Sequence, residues 1–228
     1  MGIVRSRMKV PKILHRIWIS EEKMPTECLH FGETWRFHHP TWTFTVWTQH
    51  NLPPMINHHE FHQCRNVAQK ADILRYEILH MYGGVYVDTD FECLRSIESL
   101  VAKYDCFAAE EEPVRLSNAF IGCIAGHFLM RRLIRRLPES MRNFSGKWPP
   151  AQTGPRFFTR CARNRHGWES GIKVFSAPLF YALEAPGSKR QRKSLTKAYA
   201  VHHGHGGWHG QPFEKIQPRK SDHRPGQG

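Results

Sequence analysis

The sequence lacks a long hydrophobic run. No window approaches the roughly 18 consecutive apolar residues that a helix needs to cross a membrane. The first ten residues, MGIVRSRMKV, are basic, but the apolar segment of roughly 7–15 residues that completes a signal peptide does not follow them. We therefore expect neither a membrane span nor a secretion signal, and we expect a cytoplasmic location.

The chain also lacks closely spaced cysteines. None of its cysteine pairs has the CxxC spacing of a zinc knuckle or of a redox motif, so neither kind of site is expected. Free, buried thiols in a reducing compartment are the simplest interpretation. The six cysteines are Cys28, Cys64, Cys93, Cys106, Cys123 and Cys161.

Acidic residues are few compared with basic ones, and the formal net charge is +13. This charge implies attraction to an anionic partner, which is nucleic acid, a lipid surface or a phosphorylated small molecule. Part of it lies on a predicted helix that aligns Leu129, Leu133 and Leu137 in one stripe and ends at Pro138. The four arginines between positions 131 and 136 form either an ordinary solvated face or a surface for peripheral contact with the anionic inner face of a membrane.

The length and apolar content favour one large domain. The chain has 228 residues, of which 40% are hydrophobic and 12% aromatic, enough for a sizeable core. We expect this domain to cover residues 1–210. Residues 211–228 contain almost no apolar side chains, and this composition predicts a flexible polar tail.

The pattern of the first hundred residues predicts an α/β layered fold. Residues 12–20 and 41–48 have the β-branched and aromatic content of strands, and residues 26–38 between them are expected to form a helix. In folds of this kind, sites lie at the carboxyl ends of the strands.

A second helix is predicted from Asn66 to a stop at Gly83. Its apolar positions repeat with the helical period: Val67, Ala71, Leu74, Ile78 and Met81. Asp72 and Arg75 are three residues apart and therefore neighbours on this helix. Taken alone, they are expected to form a modest ion pair on the surface.

The segment VYVDTD, residues 85–90, predicts a strand whose alternation places Tyr86, Asp88 and Asp90 on one face. The two aspartates have two interpretations. They are either turn formers that cap backbone N–H groups, or oxygen ligands for Mg²⁺ or Mn²⁺.

Six segments occur in an order that carries a resemblance: PKILHRIWIS, HPTWTFTVW, KADILRYEILHMYGGVYVDTD, SNAFIGC, TGPRFF and AVHHGHGGW, spanning residues 11–208. The chain resembles the glycosyltransferases with a DXD sugar-binding region. That family includes yeast-type mannosyltransferases and bacterial polysaccharide enzymes, and it is distantly similar to clostridial toxin glucosyltransferases.

The resemblance implies a GT-A fold, in which a mixed nucleotide-sandwich sheet is flanked by helices in a single domain. It implies a UDP- or GDP-sugar donor, Mn²⁺ or Mg²⁺ as cofactor, and sugar transfer with retention of anomeric configuration. The acceptor would be a saccharide or a lipid-linked molecule in polysaccharide or glycoconjugate synthesis.

The resemblance also implies roles for residues around the metal. Asp90 corresponds to a direct ligand, Asp88 to a residue on the ribose or on a metal-bound water, and His202 to a third ligand. Imidazole suits Mn²⁺ better than Mg²⁺. Trp208 would close over the diphosphate. Tyr86 is either close to the nucleotide or an ordinary core tyrosine.

On the donor side, the resemblance implies that Asp72 and Arg75 grip the sugar hydroxyls and that Trp18 stacks on the base. Asn118 either faces the donor sugar or acceptor, or caps a turn. The acidic run at residues 110–112 follows a predicted strand, and it contains either an acceptor-side base or solvated loop residues.

Two other functions are open to this sequence. The net charge of +13 and seven tryptophans would suit a nucleic-acid-binding protein, but no recognised motif of that class occurs, so we expect no nucleic-acid partner. A metal-dependent phosphodiesterase could use the same aspartates, and it would need a second metal cluster.

Overall fold

The computed structural model describes residues 9–112, 114–144, 149–181 and 195–204. The helices are α1 (Thr26–His38), α2 (His58–Gln63), α3 (Val67–Tyr82), α4 (Glu98–Lys103), α5 (Phe128–Asn143), α6 (Pro149–Gln152) and α7 (Pro155–Ala162). The strands are β1 (Ile13–Ile17), β2 (Thr43–Trp47), β3 (Gly84–Val87), β4 (Phe91–Cys93), β5 (Cys106–Glu112), β6 (Arg115–Cys123), β7 (Arg163–Asn164), β8 (Gly167–Trp168), β9 (Lys173–Phe175) and β10 (Ala200–His202). A short 3₁₀ helix covers Ala177–Leu179.

Six strands form a mixed central sheet in the order β2-β1-β3-β6-β5-β9. β1 runs parallel to β2 and β3, whereas β6 runs antiparallel to β3 and β5. β10 pairs antiparallel with β4 in a small second sheet. The predicted α/β class is confirmed, and the β-α-β opening forms with its helix at Thr26–His38.

The core lies on both faces of the sheet. On one face, α3, α5 and α7 contribute buried residues that include Leu74, Leu133 and Phe158. On the other face, α1 and α4 contribute Trp35 and Leu100. Burial on both faces explains why the central strands read as nearly continuous apolar runs.

Sequence signals at both ends define α3. The side chain of Asn66 accepts hydrogen bonds from the amides of Ala68 and Gln69, which are otherwise unpaired at a helix start. At the other end, Gly83 and Gly84 have φ of +63° and +93°. A Cβ on Gly84 would also lie 2.6 Å from the carbonyl oxygen of Ile13, so the turn into β3 requires glycine.

Several details of the predicted elements are wrong. Val67 and Met81, placed on the buried face of the helix, are 49% and 40% exposed, because the sheet and α5 bury a different stripe. Pro138 lies inside α5 rather than at its end, and the helix continues to Asn143. The buried Ser140 holds that last turn by donating to the carbonyl of Gln152. The acidic run at 110–112 belongs to β5 instead of following it.

All six cysteines are free and buried, as the sequence predicted. Burial raises the pKa of Cys28 and Cys64 to about 11, which leaves their thiols protonated and unreactive. Within the described ranges, no helix combines the length and the apolar character needed to cross a membrane. The predicted tail at 211–228 and the boundary at residue 210 lie outside the described residues.

Candidate active site

The two aspartates lie in a turn that follows β3. The predicted strand over residues 85–90 is too long, because β3 ends at Val87. The amide of Phe91 donates to the carbonyl of Asp88 (3.2 Å), which closes the turn before β4 begins. Asp88 and Asp90 therefore lie at the carboxyl end of a central strand, where sites of this fold class are expected.

Asp88, Asp90 and His202 each offer one ligand atom, and these atoms lie within 4.8 Å of one another. His202 reaches this position because β10 pairs with β4, opposite Phe91. The amide of His203 also donates to the carbonyl of Asp90 (3.0 Å). His202 Nε2 lies 3.2 Å from Asp90 Oδ1. We call these three residues the carboxylate–histidine cluster.

The electrostatics of this cluster suit a divalent cation. Burial raises the pKa of Asp88, the charge of Arg75 lowers it, and the neighbouring Asp90 raises it again, with a net increase. Burial lowers the pKa of His202, but the negative charge of Asp90 outweighs this effect and the net pKa is raised. The cluster therefore attracts positive charge, and its two oxygen donors and one nitrogen donor form a set that Mn²⁺ accepts.

A second cluster surrounds Asp72, which is fully buried. The carboxylate accepts hydrogen bonds from Asn118 Nδ2 (2.7 Å) and Thr153 Oγ1 (2.8 Å). Arg75 Nη2 lies 3.3 Å from its Oδ1. We call Asp72, Arg75, Asn118 and Thr153 the buried polar cluster. The expectation of a surface ion pair is wrong, and so is the turn-capping interpretation of Asn118, which lies within β6.

Arg75 connects the two clusters. It donates from Nη1 to Asp88 Oδ1 (3.0 Å) and to the carbonyl of Asn118 (2.8 Å). Its guanidinium also lies 4.4 Å from the centre of the Tyr86 ring. Burial lowers the pKa of Arg75, but the carboxylates of Asp88 and Asp72 outweigh that effect, so the pKa is raised and the charge is permanent.

Tyr86 is a core residue that also contacts the site. It is 2% exposed, and its hydroxyl donates to Asp88 Oδ1 (2.6 Å). The core interpretation of Tyr86 is confirmed, and its hydroxyl lies on one of the two aspartates, while its closeness to the nucleotide stays a prediction. The contact also explains why Asp88 keeps a fixed orientation in the turn.

The outer parts of the predicted site are described only in part. Trp18 follows β1 and is half-buried, and its indole N–H donates to the carbonyl of Glu22 (2.7 Å). Its proposed stacking on a base stays a prediction. Trp208 lies outside the described residues.

Side chains from β1 and α1 support the turn and β4. Arg16, which is 5% exposed, donates to the carbonyls of Cys28 and Thr89, both at 2.6 Å. Trp35 Nε1 donates to the carbonyl of Phe91 (2.9 Å). These contacts fix the backbone on both sides of Asp90. Sequence reasoning missed Arg16, and it missed Thr153, although both lie inside the segments that carry the resemblance.

A two-metal phosphodiesterase would require a further group of ligands. Among the residues that the structure describes, the carboxylate–histidine cluster is the one group of at least three histidine, cysteine or acidic side chains close enough to share a metal. The arrangement therefore favours a single cation.

Residues 25–107 match the model of a family described as "Glycosyltransferase sugar-binding region containing DXD motif". Over this region the chain is similar to that glycosyltransferase family. The match includes Asp72, Arg75, Asp88 and Asp90, and the resemblance predicted from the sequence is confirmed.

The chain is also similar to two yeast proteins, over more residues than the family model covers. The chain is 28% identical over 162 residues to Inositol phosphoceramide mannosyltransferase 1 of Schizosaccharomyces pombe, covering 66% of this chain and 50% of the relative. It is 25% identical over 186 residues to a mannosyl phosphorylinositol ceramide synthase of Saccharomyces cerevisiae, covering 76% of this chain and 49% of the relative. The chain thus spans about half the length of these relatives.

Solved structures confirm the predicted GT-A fold around the DXD region. PaToxG Glycosyltransferase superposes with a TM-score of 0.59 at 16% identity, covering 67% of this chain and 68% of that one. The UDP-bound glycosyltransferase domain of the YGT toxin superposes with a TM-score of 0.52 at 12% identity, covering 73% of this chain and 80% of that one. At these identities the likeness concerns the fold alone.

Proposed function

We propose that the chain is a metal-dependent, retaining glycosyltransferase that moves a hexosyl group from a nucleotide sugar to a hydroxyl group of an acceptor. The observation that carries this proposal is the convergence of His202 with Asp88 and Asp90, the two aspartates of the DXD region, at the carboxyl end of β3. In the reaction, the bond from the anomeric carbon to the diphosphate breaks, a bond to the acceptor oxygen forms, and the proton of the acceptor hydroxyl passes to the departing diphosphate.

The carboxylate–histidine cluster would hold Mn²⁺, or Mg²⁺ in its place. A divalent cation bound there supplies Lewis-acid stabilisation for the charge that develops on the leaving diphosphate. Asp88 is oriented for this by Tyr86 and Arg75, and Asp90 is oriented by the backbone contacts on both sides of it. Because the leaving group is stabilised by positive charge, no side chain has to protonate it.

On the donor side, we assign the grip of the sugar hydroxyls to Asp72 and Arg75, with Asn118 beside them. A carboxylate acceptor and a forked guanidinium donor suit neighbouring hydroxyl groups. Trp18 would stack on the base of the UDP- or GDP-sugar, and Trp208 would close over the diphosphate.

The acceptor is proposed to be a glycan or a lipid-linked molecule. The names of the yeast relatives support a mannosyl donor and an inositol phosphoceramide acceptor. Peripheral contact with an anionic membrane and a cytoplasmic location stay predictions. The exposed Arg131, Arg135 and Arg136 carry the membrane prediction, whereas Arg132 is half-buried and paired with Glu169 at 2.5 Å.

A donor panel tests the proposal. The purified chain would be heated with UDP- and GDP-sugars in the presence of Mn²⁺, since a ligand that binds only the folded state raises the unfolding temperature. The donor that stabilises the chain would then be assayed for release of the nucleoside diphosphate. We expect release that stops in excess chelator and resumes when Mn²⁺ is restored. Release that persists undiminished in chelator would contradict metal dependence.

A further inference from the structure

Tyr181 lies against the carboxylate–histidine cluster. It is outside the matched DXD region, and the sequence analysis did not predict a role for it. Its amide donates to the carbonyl of Ala177 (2.6 Å), so the 3₁₀ helix positions its backbone. The residue is 5% exposed. The ring contacts Phe91 and His202 edge-on, with ring centres 5.5 Å apart in both pairs. The aromatic rings of Tyr181 and Phe91 therefore pack together on one side of the cluster.

The hydroxyl of Tyr181 is buried and makes no hydrogen bond of normal geometry with the described residues. Ser117 faces it from β6, and Ser117 Oγ already accepts the amide hydrogen of Ala119 (3.2 Å). Burial raises the pKa of this hydroxyl, the nearby Ser117 hydroxyl opposes the rise, and the charges of Asp88, Glu111 and Asp90 add to it. A phenol hydroxyl is an O–H donor, and the Tyr181 ring places this one beside His202 of the cluster.

A buried hydroxyl that has only the weakly placed Ser117 as a partner among the described residues is unfavourable, so its position beside a charged cluster points to an acceptor that arrives with a ligand. A water molecule bound to a cation is a poor acceptor, because its lone pair is directed at the cation. An anionic phosphate oxygen is a good one, because hydrogen bonds to charged acceptors are about twice as strong as neutral ones.

We propose that Tyr181 donates a hydrogen bond from its hydroxyl to a phosphate oxygen of the nucleoside diphosphate part of the donor. The proposal rests on the proposed function, because that function brings the diphosphate to the carboxylate–histidine cluster. It assigns Tyr181 to diphosphate binding beside His202, with its ring held by Phe91 and His202.

The test is Tyr181→Phe, which removes the hydroxyl and keeps the ring contacts. Isothermal titration calorimetry would measure binding of UDP and GDP, each with Mn²⁺, using the nucleotide that binds the unsubstituted chain. We expect the dissociation constant to rise about tenfold, which corresponds to about 1.4 kcal/mol. The affinity for Mn²⁺ alone should not change, and the unfolding temperature of the ligand-free chain should stay the same or rise.

Tyr76→Phe is the matched stability control. The Tyr76 hydroxyl donates to the carbonyl of Thr153 (2.8 Å) and accepts from Asn118 Nδ2 (2.9 Å), so its removal should lower the unfolding temperature. A similar fall for Tyr181→Phe would overturn the proposal, because it would show that the hydroxyl is already paired inside the protein.

The remaining outcomes separate this inference from the proposed function. Equal nucleotide affinity of Tyr181→Phe and the unsubstituted chain would overturn the role of Tyr181 and leave the glycosyltransferase assignment standing. Loss of affinity for Mn²⁺ alone would also overturn it, because the hydroxyl would then serve the metal shell. Absence of nucleotide binding by the unsubstituted chain would overturn both.

Discussion

Arg75 connects the carboxylate–histidine cluster with the buried polar cluster. The two clusters differ in how fully their carboxylate oxygens accept hydrogen bonds from the protein. Asp72 is fully enclosed, and both of its oxygens accept hydrogen bonds from the protein. Asp88 receives its two side-chain hydrogen bonds on a single oxygen, and its side chain is 28% exposed. The first cluster thus leaves room for a ligand, whereas the second is complete without one.

The difference shows what each cluster can do in this conformation. A cation can approach Asp88, Asp90 and His202 without breaking any contact inside the buried polar cluster. A sugar hydroxyl can reach Asp72 only after Thr153 or Asn118 moves, because these two residues occupy the carboxylate. The grip assigned to Asp72 therefore needs a local rearrangement when the donor binds.

The largest expected effect comes from the open cluster. Asp90→Asn keeps the size of the side chain and removes one charged ligand, so turnover with the full donor should fall at least about 100-fold while the fold is kept. Circular dichroism and a sugar-transfer assay would check this. Asp105→Asn, at the opposite end of the sheet just before β5, is the matched control and should keep its turnover. Full turnover by Asp90→Asn would rule out the metal assignment.

The next largest effect should separate the two clusters. Asp72→Asn should abolish sugar transfer while the nucleoside diphosphate with Mn²⁺ binds nearly as before, because only the sugar loses its partner. Calorimetric affinity for the nucleoside diphosphate and turnover with the full donor would be measured on the same folded variant. If both quantities fell equally, or neither fell, the sugar-gripping role of Asp72 would be refuted.

The pH dependence of stability probes the closed cluster alone. Burial raises the pKa of Asp72 to about 6 from 3.8, with Arg75, Thr153 and Asn118 opposing the rise. The stability that protonated Asp72 contributes is therefore full below 3.8 and is lost as the pH rises through about 6. Relative to Asp72→Asn, the unsubstituted chain should lose up to about 3 kcal/mol of unfolding free energy between pH 4 and pH 7.5.

Denaturant unfolding of both proteins across that range would measure this difference. The comparison with the variant matters because burial also lowers the pKa of His15 and of His127 to about 4, which destabilises the fold in acid through other groups. A difference between the two proteins that did not vary with pH would show that Asp72 titrates normally.

The structure explains how much the sequence could predict. The limits of α3 follow from local chemistry at Asn66 and Gly83, and the sequence predicted both limits but not the cap made by the Asn66 side chain. The end of β3 at Val87 was not predicted, because alternation continues through Asp90 in the sequence while the chain leaves the strand after Val87. The local pattern contains no signal for the contacts that hold Asp88 in place.

The partners of the site residues depend on packing between distant segments. Thr153 meets Asp72 only because α6, α7 and α3 pack together, and Tyr181 meets His202 only because β10 pairs with β4. The burial of Asp72 and Arg75 was missed for the same reason. A charged pair three residues apart on a helix has the same pattern whether the sheet covers it or water does.

The smallest of these predicted effects concerns Trp18, which belongs to neither cluster. Stacking of a base on an aromatic ring contributes on the order of 1–3 kcal/mol, so Trp18→Ala should raise the dissociation constant of the donor roughly tenfold or more. Calorimetry on the folded variant would check this. Unchanged donor affinity would mean that Trp18 serves only the local contact with Glu22.

The most direct test of the account is a titration with Mn²⁺ followed by electron paramagnetic resonance, in which bound Mn²⁺ loses the signal of the free ion. The account predicts one bound Mn²⁺ for each unsubstituted chain, much weaker binding by Asp90→Asn, and unchanged binding by Asp72→Asn. Equal binding of Mn²⁺ by Asp90→Asn and the unsubstituted chain would contradict the central claim that Asp88, Asp90 and His202 form the metal site.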